Sequence, residues 1–275
     1  MGLRIATNVP SLATQRNISN VGEEASKSYA RLSSGNRITK SGDDAAGLSI
    51  SNKLEASVRG LKMAQRNAND GISFVQTAEG GINEVSNILI RLRELSVQAA
   101  SDTVGEAERG FLNKEVQSLK GEVDRIAKVT NFNGTNLLSG EGKTLTFQVG
   151  HEAGEMNRIE FDPKKTNVTA GALGINGVDL SSKDGALDAL GSLDEAIKRV
   201  NENRSELGAM QNRLHSTSNS LGISIENLAD ARSRIMDTDI AAETSTLAKN
   251  NILQQAGISV LAQANSAPNS ALKLL

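Results

Sequence analysis

Proline occurs at only three positions of this 275-residue chain, Pro10, Pro163 and Pro268. Inside a helix it removes a hydrogen bond and clashes with the preceding turn, at about 3 kcal/mol or more. Its absence from 11–162 and from 164–267 permits helices of unusual length, and both stretches carry a seven-residue apolar repeat. Such a chain is suited to a bundle built by folding back on itself rather than to a pocketed enzyme.

The first repeat runs from Leu54 through Leu61, Ala68, Val75, Ile82 and Leu89 without a miss. Offset positions counted from Ser57 are Ala64, Gly71, Ala78, Val85, Leu92 and Ala99. Together they form a seam with a 3.5-residue average period, the mark of helices packed side by side. A helix from Gly47 to Ala99 is predicted, roughly 80 Å long at ~1.5 Å per residue. Turn residues Ser101-Asp102-Thr103-Val104-Gly105 then break the pattern. A shorter repeat, Leu112, Val116, Leu119, Val123 and Ile126, predicts a second helix folding back along the first, stopped at Asn131-Phe132-Asn133-Gly134.

From Lys143 the period falls to two. Leu145, Phe147 and Val149 alternate with polar residues, Gly150–Gly154 turns the chain, and Ile159 and Phe161 alternate again, so a β-hairpin is predicted over 143–162. Pro163 and glycines 171, 174, 177 and 185 mark the following stretch as loop-rich. A second long helix is read from Leu193, Val200, Leu207, Leu214, Leu221, Leu228 and Ile235, all seven apart. Its companion positions include Arg204, Gln211 and Ser218, polar residues that weaken a seam but fix its register.

Composition supports a fold of long seams. Aromatic residues make up 2% of the chain, with no Trp and a single Tyr29, whereas large rings normally dominate compact cores. A net charge of −2 argues against a nucleic-acid partner, which draws a strongly basic surface. Without cysteine there is neither disulfide nor thiolate metal site. Met1-Gly2-Leu3-Arg4-Ile5 lacks a secretory h-region, and Gly2 alone is weak evidence of lipidation. No stretch approaches the ~20 apolar residues of a membrane span. A cytosolic protein, or one exported without a cleaved signal, is expected.

The two ends differ from the middle. Ile18, Val21, Ala25, Ser28 and Leu32 mark a weak stripe in the first 40 residues. Near the other end Leu247, Ile258 and Leu261 share their face with Asn251, Gln254 and Asn265, while Ile252, Leu253 and Val260 point elsewhere. Short helices with weak, two-sided stripes are marginal alone in water. The termini are therefore expected to pair with each other and with further copies of the chain. The predicted fold is mainly α, a long antiparallel helical bundle or coiled-coil rod with a small β-hairpin region. The paired N- and C-terminal helices form a separate coiled coil.

Specific motifs occur at these ends. Asn8-Val9-Pro10-Ser11-Leu12, Arg31-Leu32-Ser33-Ser34-Gly35-Asn36-Arg37-Ile38 and Asp43-Asp44-Ala45-Ala46-Gly47-Leu48-Ser49-Ile50-Ser51 resemble the N-terminal signature of bacterial flagellins. Ser233-Arg234-Ile235-Met236-Asp237-Thr238-Asp239, Ile252-Leu253-Gln254-Gln255-Ala256-Gly257 and Ser259-Val260-Leu261-Ala262-Gln263-Ala264-Asn265 resemble the C-terminal one. The resemblance implies a structural subunit of a secreted, extracellular filament used for motility. It places a discontinuous filament-core domain at 1–42 and 235–275 and an outer helical domain with the hairpin at 43–234. The stretch between Asn133 and Gly191 leaves little room for a variable outer domain, so a minimal flagellin is expected. Asn36, Thr39 and Gly42 depart from the usual family residues.

On this resemblance the polymerisation core is expected to include Ile18, Val21, Leu32, Leu247, Leu253, Ile258 and Leu261. Implied partners are other copies of the chain, the flagellar export apparatus and its export chaperone, the filament cap and the hook–filament junction proteins. In flagellins detected by the flagellin-sensing Toll-like receptor, an arginine, a leucine and a glutamate match Arg91, Leu95 and Glu122. Arg91 and Leu95, one turn apart and off the main seam, are expected to face outward. A hook–filament junction protein is the alternative with the same architecture.

Readings from other classes are weaker. His151-Glu152-Ala153-Gly154-Glu155 lacks the second His at the fifth position that a zinc-protease helix requires, and His215 is the only other histidine. Asp43 and Asp44 are better explained as N-cap and dipole partners of the long helix than as paired catalytic acids. Gly171, Gly174 and Gly177 lack the strand–turn–helix setting of a phosphate loop. No catalytic residue, cofactor or metal site is expected, and no membrane association.

Overall fold

The computed structural model describes residues 7–272, with side chains through Ser266. The Met1–Ile5 start weighed above as a signal lies outside them. Six helices follow in order: α1 (Val9–Ser34), α2 (Ala45–Ala99), α3 (Glu106–Val129), α4 (Ala170–Leu173), α5 (Lys183–Met236) and α6 (Ile240–Leu272). Two small antiparallel pairs lie between α3 and α4: β1 (Asn131–Phe132) with β2 (Thr135–Asn136), and β3 (Leu145–Gln148) with β4 (Arg158–Phe161). The described residues divide into two compact units, one made of the residues up to Ser57 and from Asn227, the other of Val58–Glu226.

In the unit Val58–Glu226, α2 carries the main seam. Ala68, Val75, Ala78, Ile82, Val85, Leu89, Leu92 and Ala99 are completely buried, as the seven-residue count predicts. Helix α5 lies antiparallel to α2: Gln65 donates to the Ser218 carbonyl at 3.2 Å, and Arg93 Nε donates to Asp194 Oδ1 at 2.7 Å. Leu193, Val200, Leu207 and Leu214 close the seam from that side. Of the polar companions, Ser218 is buried and donates to Asn69 Oδ1 at 3.2 Å, so it holds register; Arg204 faces solvent.

Helix α3 runs back along α2, with Arg91 bonded to Glu115 at 3.0 Å. The buried Arg109 donates to the carbonyls of Ala99 (2.8 Å) and Ser101 (3.0 Å), filling acceptors that the end of α2 leaves open. Because α2 is flanked by both α3 and α5, its buried arc is wider than a two-helix seam. Leu95 falls inside that arc and is 1% exposed, which corrects the outward placement expected for it. Arg91 remains exposed, paired with Glu94 and Glu115, and Glu122 is half-exposed and paired with Arg125.

The middle segment is more ordered than its glycines suggest. The expected hairpin forms with Leu145 opposite Phe161 and Gln148 opposite Arg158. Helix α3 stops at Val129, as expected, and the Asn131–Gly134 stretch goes on to form a second, tiny hairpin with Thr135–Asn136. Asn133 (φ 50) and Gly134 (φ 79) supply the two left-handed residues that a tight strand-to-strand turn needs. Leu137, Leu138, Val168, Ile175 and Leu180 are completely buried, so this stretch is pinned to the helices. Gly185 lies within α5, which begins at Lys183, well before the repeat becomes readable at Leu193.

Three glycines of α2 let the segment approach. A Cβ at Gly60 would lie 2.9 Å from His151 Cβ, one at Gly71 3.4 Å from Phe147, and one at Gly81 2.7 Å from Leu138 Cδ1. Between the last two glycines sits Phe74. Its ring meets Phe132, Phe147 and Phe161 edge-on, with centroids 5.6, 5.4 and 4.8 Å away. Four of the five phenylalanines thus gather where both hairpins meet α2. Edge-to-face pairs add about 0.5–1.5 kcal/mol each beyond their buried area.

We expect Phe74→Ala to lower unfolding stability by about 3–5 kcal/mol, the usual cost of truncating a buried Phe. Urea unfolding followed by circular dichroism measures it. A loss below ~1 kcal/mol would show that the ring cluster is not part of the stabilising core.

Candidate assembly site

The other unit is built on α1 and α6. Asn8 caps α1 through Oδ1, which accepts from the Ser11 amide at 3.2 Å, and Pro10 occupies the first turn, where its missing N–H costs nothing. The left-handed Gly35 ends the helix by donating to the Arg31 carbonyl. At 26 and 33 residues, α1 and α6 are longer than the short helices expected from their broken stripes. Helix α6 also continues past Pro268 instead of stopping there.

The two helices are antiparallel. Arg31 meets Glu243 at 3.7 Å, Ile18 packs over Gly257, and Asn8 reaches Ala264. Next to them, the chain leaving α1 pairs with the chain entering α6: Arg37 donates to the Met236 carbonyl at 2.6 Å and Thr238 to the Gly35 carbonyl at 2.9 Å. Asp44 Oδ1 accepts from the Gly47 amide at 2.8 Å and is the N-cap of α2, as expected. Its neighbour Asp43 does something else. One carboxylate oxygen collects the amides of Thr39 and Lys40 and the Thr39 hydroxyl, each at 3.0 Å, closing the loop before α2.

The α1–α6 seam is lean. On α1 only Ala25 and Ser28 are buried, while Ile18, Val21 and Leu32 are half-buried. On α6 the inward face is Glu243, Leu247, Asn250, Gln254, Gly257, Leu261 and Ala264, mostly small or polar. A Cβ at 257 would lie 2.8 Å from Ile18 Cγ1, so the seam passes through Gly257. Ile258 is thereby turned outward and is 56% exposed, which corrects its expected place on one face with Leu261. Leu253, at 44%, and Val260 border a groove of about 450 Å³ with Ile18, Val21 and Gly257. Ile240 and Ile252 are also exposed, as are Val9, Leu12 and Tyr29 on α1.

The candidate core residues therefore separate by geometry. Ile18, Val21, Leu32, Leu247 and Leu261 serve the seam within the chain, and Leu253 and Ile258 are left outside it. Apolar side chains lie all round α6, whereas one partner helix can cover only one stripe. Sequence reasoning missed Asn8 and Gly257; the Asn-x-Pro start of α1 was the available signal for the first. Among the described residues no cluster of His, Cys, Asp or Glu is placed to hold a metal, and no helix is long and apolar enough to cross a membrane. His151 lies against Gly60 with Glu152 at 3.6 Å.

Fold and surface together define a helical structural subunit whose terminal helices pair and leave apolar flanks open. The family model for the bacterial flagellin N-terminal helical region matches residues 5–143, and that for the C-terminal helical region matches residues 190–275. This chain belongs to the bacterial flagellin family. It is 44% identical over 98% of its length to a flagellin of Halalkalibacterium halodurans, and 40% identical over 98% to a flagellar filament 33 kDa core protein of Treponema phagedenis; in each case 98% of the relative is covered. A crystal structure of Bacillus cereus flagellin superposes with a TM-score of 0.50 at 30% identity, over 57% of this chain and 88% of that one.

Two measurements test the site. The hydrogen bonds from Lys40 N–H and from Thr39 hold the Asp43 carboxyl below its ordinary value of 3.8. A depressed carboxyl contributes stability above its unfolded pKa and loses it as pH falls through the folded one. An NMR titration should therefore place Asp43 below 3.8 and raise it in Thr39→Ala. Gly257→Ala improves helix propensity by about 1 kcal/mol yet should loosen α1 against α6, and Ile18→Ala should restore the pair. Amide exchange in α1 reports both; slower exchange in the single variant would refute the close packing.

Proposed function

We propose that this flagellin is the repeating subunit of a bacterial flagellar filament, a structural polymer outside the cell that serves motility. The supporting observation is the divided surface of α6: its inward stripe is used by α1, while Ile252, Leu253, Ile258 and Val260 face out. Exposed apolar area of this kind becomes favourable when covered, at about 25 cal/mol per Å². Neighbouring copies of the same chain supply that cover most economically, since every copy presents the same helices. The unit Val58–Glu226 has a seam of fully buried side chains and folds by itself, whereas the terminal pair gains most of its burial on assembly.

This division also suits export. Termini that order only late can pass through a narrow secretion channel as extended chain. In this reading the flagellar export apparatus and export chaperone handle the chain before assembly. The filament cap and hook–filament junction proteins bound the polymer at its two ends, and residues 1–42 with 235–275 form its core. Of the candidate receptor positions, Arg91 and Glu122 are open to a partner on the outer unit.

Deleting 241–275 should leave a helical, soluble chain that forms no filaments, and Leu253→Asp with Ile258→Asp should do the same with full helicity. Electron microscopy and sedimentation of the purified proteins measure both. A truncated chain that still polymerised would remove the basis for this mechanism. Long homogeneous filaments from the intact protein alone separate it from a junction protein, which acts in small copy number.

A further inference from the structure

Helix α6 extends from Ile240 to Leu272 with a proline inside it. In an α-helix the carbonyl of residue 264 is satisfied by the amide of residue 268. Residue 268 is proline and has no N–H to give. The Ala264 carbonyl is therefore an acceptor that α6 cannot satisfy from within. It is filled from elsewhere: Asn8 Nδ2 donates to it at 2.8 Å, across 256 residues of sequence.

We propose that Asn8 and Pro268 form a matched pair that sets the axial register of α1 on α6. Asn8 acts there as a positioning residue with both ends of its side chain engaged. Its oxygen caps α1 by accepting from the Ser11 amide at 3.2 Å, and its amide group occupies the vacancy that Pro268 creates. One residue thus terminates one helix and repairs the other. Ser11 adds a second tie by donating from Oγ to Asn265 Oδ1 at 2.8 Å, one residue further along α6.

The pairing explains why the register needs such a device. The seam between α1 and α6 is built from small and polar residues and half-buried aliphatics, and a lean seam tolerates sliding by one heptad. A carbonyl freed inside the helix breaks that degeneracy for slips toward the middle of α6, because a shift of seven residues that way would bring Asn8 to the carbonyl of Gly257, already bonded within the helix. A buried or half-buried acceptor left without its donor costs enough to slow such slips several-fold. Proline, ordinarily a defect in a helix interior, becomes the mark that the other terminus reads.

Amide exchange on the full-length chain, free and assembled, tests this with four variants. Asn8→Asp keeps the oxygen that caps α1 but removes the donor, and Asn8→Ala removes both. Each should speed exchange of the backbone amides of 260–267 at least about fivefold, consistent with loss of one such hydrogen bond. Only Asn8→Ala should also speed the Ser11 amide. In Pro268→Ala the Ala264 carbonyl regains a donor from its own helix. Adding Asn8→Asp to that variant should then change exchange of 260–267 by less than about twofold, well inside that hydrogen-bond range. Additive effects of the two substitutions would overturn the pairing. So would wild-type behaviour of Asn8→Asp, or the absence of protection at 260–267 in both states of the intact protein. The pairing is judged by exchange alone, so a failure to form filaments bears on the proposed function and not on it.

Discussion

The unit Val58–Glu226 depends on one stripe of α2, the completely buried series from Ala68 to Ala99. Its residues are mostly Ala, Val, Ile and Leu, small to medium side chains against which two helices can lie closely. Helix α5 covers one side and α3 the other. Everything else in the unit is laid over the flank of this seam. Glycines 60, 71 and 81 remove side chains where the middle segment crosses, and Phe74 supplies a ring where it needs an anchor. A chain almost without aromatic residues has gathered four of its five phenylalanines where the two hairpins meet α2.

The terminal unit follows the opposite economy. Its seam is completed with Ser28, Asn250, Gln254 and Gly257, residues that bury little apolar area but pack closely or hydrogen-bond. Several of its larger aliphatics, Ile252, Leu253, Ile258 and Val260, are on the outside. Such a pair is specific without being very stable, and its remaining free energy is available to contacts with other chains. The half-buried Arg31–Glu243 pair and the backbone bridges at Gly35–Arg37 and Met236–Thr238 hold the helices in place at low apolar cost.

Much of this was legible from residue spacing. Heptad counting located the seam residues of α2 and α5 almost one for one, and period-two alternation located β3 and β4. Asp44 was readable as a cap from its place before a long apolar repeat. Other features were illegible for physical reasons. Leu95 appeared outward because a repeat reports one seam, and a helix with partners on two sides buries a wider arc. The β1–β2 hairpin was illegible because Asn-Gly can both follow a helix end and turn a strand pair, and only the pairing of Phe132 with Thr135 shows that it does the second as well. Leu137, Ile175 and Leu180 have no period at all, since isolated residues in a winding segment are buried by what lies above them.

The sequence by itself determined that this protein is made of long helices, where their seams run, and, through the signatures at its two ends, the family to which it belongs. Those are properties of local periodicity and motif, and they survive without knowledge of any partner. Only the tertiary structure decided which apolar residues of the termini are used within the chain and which are left over. It also decided that Gly257 rather than Ile258 lies under Ile18, and that Asn8 meets the carbonyl that Pro268 leaves open. The reason is that register between two helices far apart in sequence is set by a few close approaches and hydrogen bonds. A weak stripe is compatible with several such registers, and only three-dimensional contact selects one.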